Sequence, residues 1–108
     1  GVPAVIDKDM TSALLANRLG YETLLILTAV PRVSIHYRTP KQQELATVRA
    51  SELAGYLKEG HFAAGSMAPK VEAALRFLAG GGRRAIIAAL DGAVAALAGE
   101  SGTHVVPD

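Results

Sequence analysis

Leu24-Leu25-Ile26-Leu27, framed by Thr23 and Thr28, and Ala85-Ile86-Ile87-Ala88-Ala89 are two short, uninterrupted apolar runs. Runs of this length predict strands buried on both faces of a parallel sheet, because burial on one face alone leaves an alternating pattern. Such a sheet needs helices to cover it, and helical patterns stand between the runs. Residues 10–19 predict a helix stopped by Gly20, which accepts the positive φ of a helix end. Residues 48–58 predict a second helix, with Leu53 and Leu57 one turn apart and Gly60 beyond its end. Residues 68–78 give the clearest pattern: Val71, Ala74, Leu75 and Leu78 share one face, and Glu72 and Arg76 fall at i,i+4 on the other.

The remaining segments complete an alternation of strand and helix. Val5-Ile6 reads as a strand end, and residues 33–37 alternate Val33, Ile35 and Tyr37 with Ser34 and His36, as a half-exposed strand or hairpin arm does. Residues 40–44 read as a polar connection, Gly80-Gly81-Gly82 as a chain break, residues 91–97 as the last helix and residues 103–106 as the last strand. The expected fold is α/β, a mainly parallel sheet with flanking helices, in one domain over residues 1–108.

Composition narrows the function. With 50% hydrophobic residues in 108, the chain can bury one modest core. The absence of cysteine removes disulfides and thiolate-bound zinc, in keeping with a reducing, cytoplasmic setting. A net charge of +1 gives no long-range pull toward nucleic acid or an anionic membrane, and Arg83-Arg84 carries no aromatic neighbour for stacking. No apolar run reaches membrane-spanning length. His36, His61 and His104 lie in separate segments without paired ligand spacing, so no metal site is expected. Ser12 and Ser66 suit helix starts better than nucleophilic roles.

Residues 60–70, Gly-His-Phe-Ala-Ala-Gly-Ser-Met-Ala-Pro-Lys, join a small-residue turn to a helix start. Gly65 and Ser66 permit close backbone approach to an anion, a helix beginning near Ala68 directs N–H groups and its positive dipole end toward it, and Lys70 adds a full charge. The implied ligand is a phosphate, although the pattern is not the Walker motif. The same residues also serve as ordinary helix-start chemistry, with Ser66 as N-cap and Pro69 in the first turn. Val5-Ile6-Asp7-Lys8-Asp9 supports the phosphate reading by clustering charges where a strand ends and a helix begins, the position at which open α/β sheets hold ligands.

Taken together, Val5–Asp9, residues 24–28, residues 60–74, Ala85-Ile86-Ile87 and Gly102-Thr103-His104 follow one another in an order and spacing that resembles the C-terminal, nucleotide-binding part of carbamate kinases, within the amino acid kinase superfamily. The resemblance runs nearly from end to end. Gly65, Met67 and Lys70 match a pattern shared across the superfamily, and the run from Gly60 to Met67 is closer to carbamate kinases in particular. The resemblance implies the C-terminal lobe of the amino acid kinase fold and reversible phosphoryl transfer between carbamoyl phosphate and ADP, with ATP/ADP and Mg2+. It implies Lys8 and Lys70 as charge stabilisers and Asp9 as the carboxylate orienting the lysines, with Thr28, Val30, Tyr37, His61, Gly65, Ser66 and Met67 around the nucleotide. It also implies a homodimer, and a missing N-terminal lobe or complementary chain that carries the rest of the active site, without which the 108 residues are expected to be inactive.

One loop departs from the family. Where carbamate kinases carry an acidic residue and then Val-Asp-Gly-Val-Tyr, this chain has Ala29-Val30-Pro31-Arg32-Val33-Ser34. Two carboxylates, a glycine and an aromatic are gone from the adenine and ribose side. Arg32 either fills the space of the glycine or contacts phosphate, and the sequence leaves both open. The departure supports a competing expectation of a non-catalytic scaffold or regulatory subunit with a degenerate nucleotide site. A third, another amino acid kinase acting on a carboxylate substrate, stays open because substrate choice lies outside the matched region.

Overall fold

A computed structural model describes the backbone over residues 8–108 and side chains over residues 12–108. The strand end expected at Val5-Ile6, and the side chains of Lys8 and Asp9, lie outside the described residues. The chain runs α1 (Lys8–Leu19), β1 (Thr23–Thr28), β2 (Ser34–Ile35), β3 (Gln43–Glu44), β4 (Thr47–Arg49), α2 (Ala50–Lys58), α3 (Met67–Ala79), β5 (Arg84–Ala89), a single 3₁₀ turn (Leu90–Gly92), α4 (Ala93–Leu97) and β6 (Thr103–Val106). Four strands form one sheet in the order β1-β5-β6-β4, and β2 and β3 form a separate antiparallel hairpin. Within the sheet, β1 pairs with β5 and β4 with β6 in parallel, whereas β5 and β6 run antiparallel. The expected α/β architecture with a mainly parallel sheet is therefore present.

The apolar runs explain the layers. Ala85 and Ile87 of β5 enter the main core with Leu24, Ile26, Leu53, Val71, Ala74, Phe77 and Val105, beneath α1, α2 and α3. Ile86 and Ala88 point the other way, to Ala96 of α4 with Leu25 beside them. Both faces of β5 are covered, as its uninterrupted sequence demands. β1 is different: it is an edge of the described sheet, and its Leu27 stays 39% exposed.

Local chemistry sets the joints. Asn17 of α1 donates from Nδ2 to the Phe77 carbonyl of α3 at 2.8 Å, locking the two helices together near the Gly80-Gly81-Gly82 turn. That turn needs its glycines: Gly81 takes φ +105°, and a Cβ on Gly80 would stand 2.3 Å from Asn17 Oδ1. At α2 the structure departs from the sequence pattern, because Thr47–Arg49 is extended and the helix starts at Ala50. Arg49 offers no side-chain acceptor for the helix start. The Asp108 carboxylate instead accepts from Ser51 N–H at 2.9 Å; hydrogen bonding from the Ser51 hydroxyl first and from this N–H second, with the nearby Arg49 charge, holds its pKa below the usual value. The polar connection also differs from expectation in containing Gln43–Glu44, whose pairing with Ser34–Ile35 makes the hairpin.

Thr103 ties that hairpin to the sheet. Its fully buried Oγ1 accepts from Val33 N–H at 2.8 Å and donates to the Leu45 carbonyl at 2.6 Å, while Leu45 N–H donates to the Val33 carbonyl at 2.8 Å. Thr103→Val removes the hydroxyl with little change in shape and strands two buried backbone groups. Equilibrium chemical denaturation is expected to show a loss of about 1–3 kcal/mol for Thr103→Val and a smaller loss for Thr103→Ser, which keeps the hydroxyl; equal stability of Thr103→Val and the parent would show that the hydroxyl is dispensable.

Candidate functional site

A cleft of about 370 Å³ opens at the carboxyl end of β1. Thr28 and the loop Ala29-Val30-Pro31-Arg32 form its floor, Ser34, Tyr37, Gln42 and Glu44 of the hairpin form one wall, and His61, Phe62, Ala63, Ser66 and Met67 form the other. The two faces are predominantly apolar with a few polar groups, the usual composition of a small-molecule site. The position follows from topology, since ligands of open α/β sheets sit beyond the carboxyl ends of the strands.

Thr28, Val30, Tyr37, His61, Ser66 and Met67, which are scattered through the sequence, all line this one cleft. Gly65 lies in the adjoining exposed turn and is not part of the lining. Lys70 sits one turn along α3 from Ser66, half-buried and outside the lining. Lys8 and Asp9 open α1. α1 leads back to the start of β1 and α3 to the start of β5, and those strands are parallel. Both helix starts therefore lie at the carboxyl edge of the sheet, which brings the backbone of Lys8 and Asp9 to the same end as Lys70.

The start of α3 offers fewer donors than a free helix end. Ser66 N–H and Ala68 N–H both donate to the Ala63 carbonyl, at 3.2 and 2.9 Å, and Pro69 has no N–H. Of the four leading backbone nitrogens, only that of Met67 neither lacks a proton nor turns back on Ala63. Ser66 occupies the N-cap position without a side-chain capping bond. Any anion there must gain its attraction from lysine charge and the helix dipole more than from a fan of amides.

Arg32 has a partner within the fold. Its Nε–H donates to the Gly102 carbonyl at 3.1 Å, so the guanidinium bridges the floor loop to the turn before β6 while still lining the cleft. His61 is similarly engaged: its Nδ1 accepts from His36 N–H at 3.3 Å, and its Nε2 lies 3.0 Å from Glu59 Oε1. The sequence reading missed Phe62, Gln42 and Glu44 as lining residues. Phe62 stands inside the same motif as His61, whereas nothing in the polar segment around Gln42 and Glu44 marks it as the second arm of a hairpin. Among the described residues no group of three His, Cys, Asp or Glu side chains is arranged to hold a metal, and Glu44 is the carboxylate at the cleft.

The chain matches known proteins along almost its whole length. The model of the amino acid kinase family matches residues 1–89. The carbamate kinase of Pyrococcus horikoshii is 51% identical over 107 residues, which are 99% of this chain and 34% of that protein. The carbamate kinase of Clostridium perfringens is likewise 51% identical over 107 residues, covering 98% of this chain and 34% of that protein. The structure of Giardia lamblia carbamate kinase bound to AMP-PNP superposes with a TM-score of 0.92 at 46% identity, over all of this chain and 34% of that one. The chain thus spans about a third of the length of the relatives it matches.

Arg32→Ala is expected to free the floor loop, costing about 1–2 kcal/mol in thermal or chemical unfolding and raising hydrogen exchange at Val33 and Gly102. Unchanged exchange at both positions would show that the bridge to Gly102 does not hold the floor.

Proposed function

The chain belongs to the amino acid kinase family, and from that premise we propose that its cleft binds an adenine nucleotide as part of a carbamate kinase-like phosphotransferase. The reaction is phosphoryl transfer between ADP and carbamoyl phosphate, giving ATP and carbamate. The observation that carries the proposal is the convergence of Thr28, Val30, Tyr37, His61, Ser66 and Met67 on one cleft beside the start of α3, in a chain similar to a carbamate kinase solved with AMP-PNP.

Val30, Tyr37 and Met67 present apolar and aromatic surface suited to a purine, and Glu44 offers a carboxylate for the ribose hydroxyls. The phosphates extend past Gly65 and Ser66 toward Lys70, with Lys8 and Asp9 at the same edge of the sheet. There the lysines neutralise charge that grows on the transferring group, which is most of what such a reaction asks of a protein. Mg2+ brought in with the nucleotide would neutralise phosphate charge and would need few ligands from the chain. Phosphoryl transfer also needs the second substrate held in line. That task falls to the part of the kinase outside the matched third, and turnover by these 108 residues alone is not expected. Contact with that part, within a cytoplasmic homodimer, gives a use to Leu90, Val94 and Leu97, which are exposed around α4.

A second reading, a scaffold or regulatory subunit with a degenerate site, is favoured by the floor loop. Ala29 and Pro31 bring no carboxylate, and Arg32 is already engaged by Gly102.

Isothermal titration of the folded chain with MgADP distinguishes the two. Saturable binding is expected, and Lys70→Ala is expected to weaken it about tenfold or more, as loss of a charge-assisted contact does, with an unchanged circular dichroism spectrum. Equal affinity of Lys70→Ala would remove Lys70 from the site, and absence of binding by the folded parent chain would leave the scaffold reading.

A further inference from the structure

We infer that Glu59, acting through His61, is a positioning residue that latches the hairpin arm of residues 34–44 against the cleft, and that protonation of His61 releases the latch. The dependence on the nucleotide reading is confined to the effect on ligand affinity; the latch itself is a property of the chain without ligand.

Beyond Ile35, whose side chain is buried in the core, the arm has little to hold it. β2 and β3 are two residues each, and the tip from His36 to Gln42 makes hydrogen bonds almost wholly within itself: Thr39 Oγ1 donates to the His36 carbonyl at 2.6 Å, Gln42 N–H to the Thr39 carbonyl at 3.0 Å, and Arg38 N–H to Gln42 Oε1 at 2.9 Å. His36 and Arg38 adopt φ values of +53° and +61°, a conformation that costs energy for residues other than glycine. Among the described residues, the hydrogen bond from this tip to the body of the domain is His36 N–H to His61 Nδ1, at 3.3 Å. Tyr37, next along the chain, and Gln42 are the residues the tip contributes to the cleft wall.

His61 is a well-seated acceptor. Its side chain is 12% exposed, the His36 ring meets it edge-on with centroids 4.5 Å apart, and Tyr56 meets it edge-on at 5.7 Å. A neutral imidazole accepts at one nitrogen only, so acceptance at Nδ1 requires the proton on Nε2. Glu59 Oε1, 3.0 Å from Nε2, selects that tautomer. Glu59 also stands as C-cap of α2, where the helix dipole disfavours an acid, so its placement answers to His61 and not to the helix. Without the carboxylate, the tautomer bearing a proton on Nδ1 becomes populated and faces His36 N–H donor to donor. A second proton on the ring has the same consequence, because imidazolium has no acceptor, while its pairing with Glu59 persists. The titratable and charged groups facing His61 are Glu59 on its own turn, the His36 ring from the arm and the Tyr56 hydroxyl from α2, with Glu44 and Arg32 across the shared cleft.

The test is nitrogen NMR of the 15N-labelled 108-residue chain. Near pH 8 the His61 ring is expected to show a bare Nδ1, a protonated Nε2 and a scalar coupling from Nδ1 to the residue 36 amide. Glu59→Ala is expected to populate both tautomers and weaken the coupling. Acidification that adds the second proton to the His61 ring, followed on its own nitrogen shifts, is expected to abolish it in the parent chain. A His36→Asn background removes the second titrating ring and keeps a residue that tolerates positive φ. In parallel, Glu59→Ala is expected to weaken MgADP binding about three- to tenfold, the scale of one hydrogen bond. An unchanged tautomer in Glu59→Ala overturns the latch, as does an unchanged MgADP affinity in a variant whose tautomer has shifted. A latch that behaves as described in a parent chain that binds no MgADP would count against the nucleotide reading alone.

Discussion

The buried hydroxyl of Thr103 holds the cleft to the fold. The sheet and its helices are assembled by apolar burial, which is strong but indifferent to direction. The hairpin that walls the cleft has only two-residue strands and lies outside the sheet. Its base needs a directional tie, and Thr103 supplies one by accepting from Val33 and donating to Leu45 at once. Arg32, reaching from the floor loop to Gly102, makes a second tie to the same end of β6. β6 thus serves both as a core strand and as the anchor of the functional surface.

The division of labour around the cleft follows from this arrangement. Parallel pairing of β1 and β5 turns the starts of α1 and α3 toward one edge of the sheet, where charge is useful to an anion. The apolar cleft lies beside them, between the hairpin and the turn that opens α3. Because Ser66 and Ala68 spend their N–H groups on Ala63, the start of α3 offers an anion fewer amides than a free helix end, and the proposed phosphate subsite therefore rests on lysine charge.

The elements with strong periodicity were legible in the sequence. Thr23–Thr28, Met67–Ala79, Arg84–Ala89 and Thr103–Val106 fall within a residue or so of where apolar pattern and glycine breaks put them. The start of α2 was not, because Val48 suits both a helix face and a strand; pairing of Thr47–Arg49 with β6 decides for the strand, a tertiary effect absent from local pattern. The second arm of the hairpin was illegible for a similar reason: Gln43 and Glu44 carry no apolar signal, and they pair because Thr103 and Val33 fix the neighbouring Leu45. For the cleft, the motif around His61 to Met67 drew attention to one wall. The partners of Arg32 and His61 depend on contacts 70 and 25 residues distant in sequence, which no local motif encodes.

The most direct measurement of the central claim, that the cleft at the end of β1 is a nucleotide site, is amide chemical-shift mapping of the 15N-labelled chain during titration with MgADP. The expected result is a saturable set of perturbations concentrated in residues 28–37 and 61–70, flanking the cleft on both sides. Saturable perturbations confined instead to the exposed surface of Leu90, Val94 and Leu97, or none in a folded chain, would contradict it.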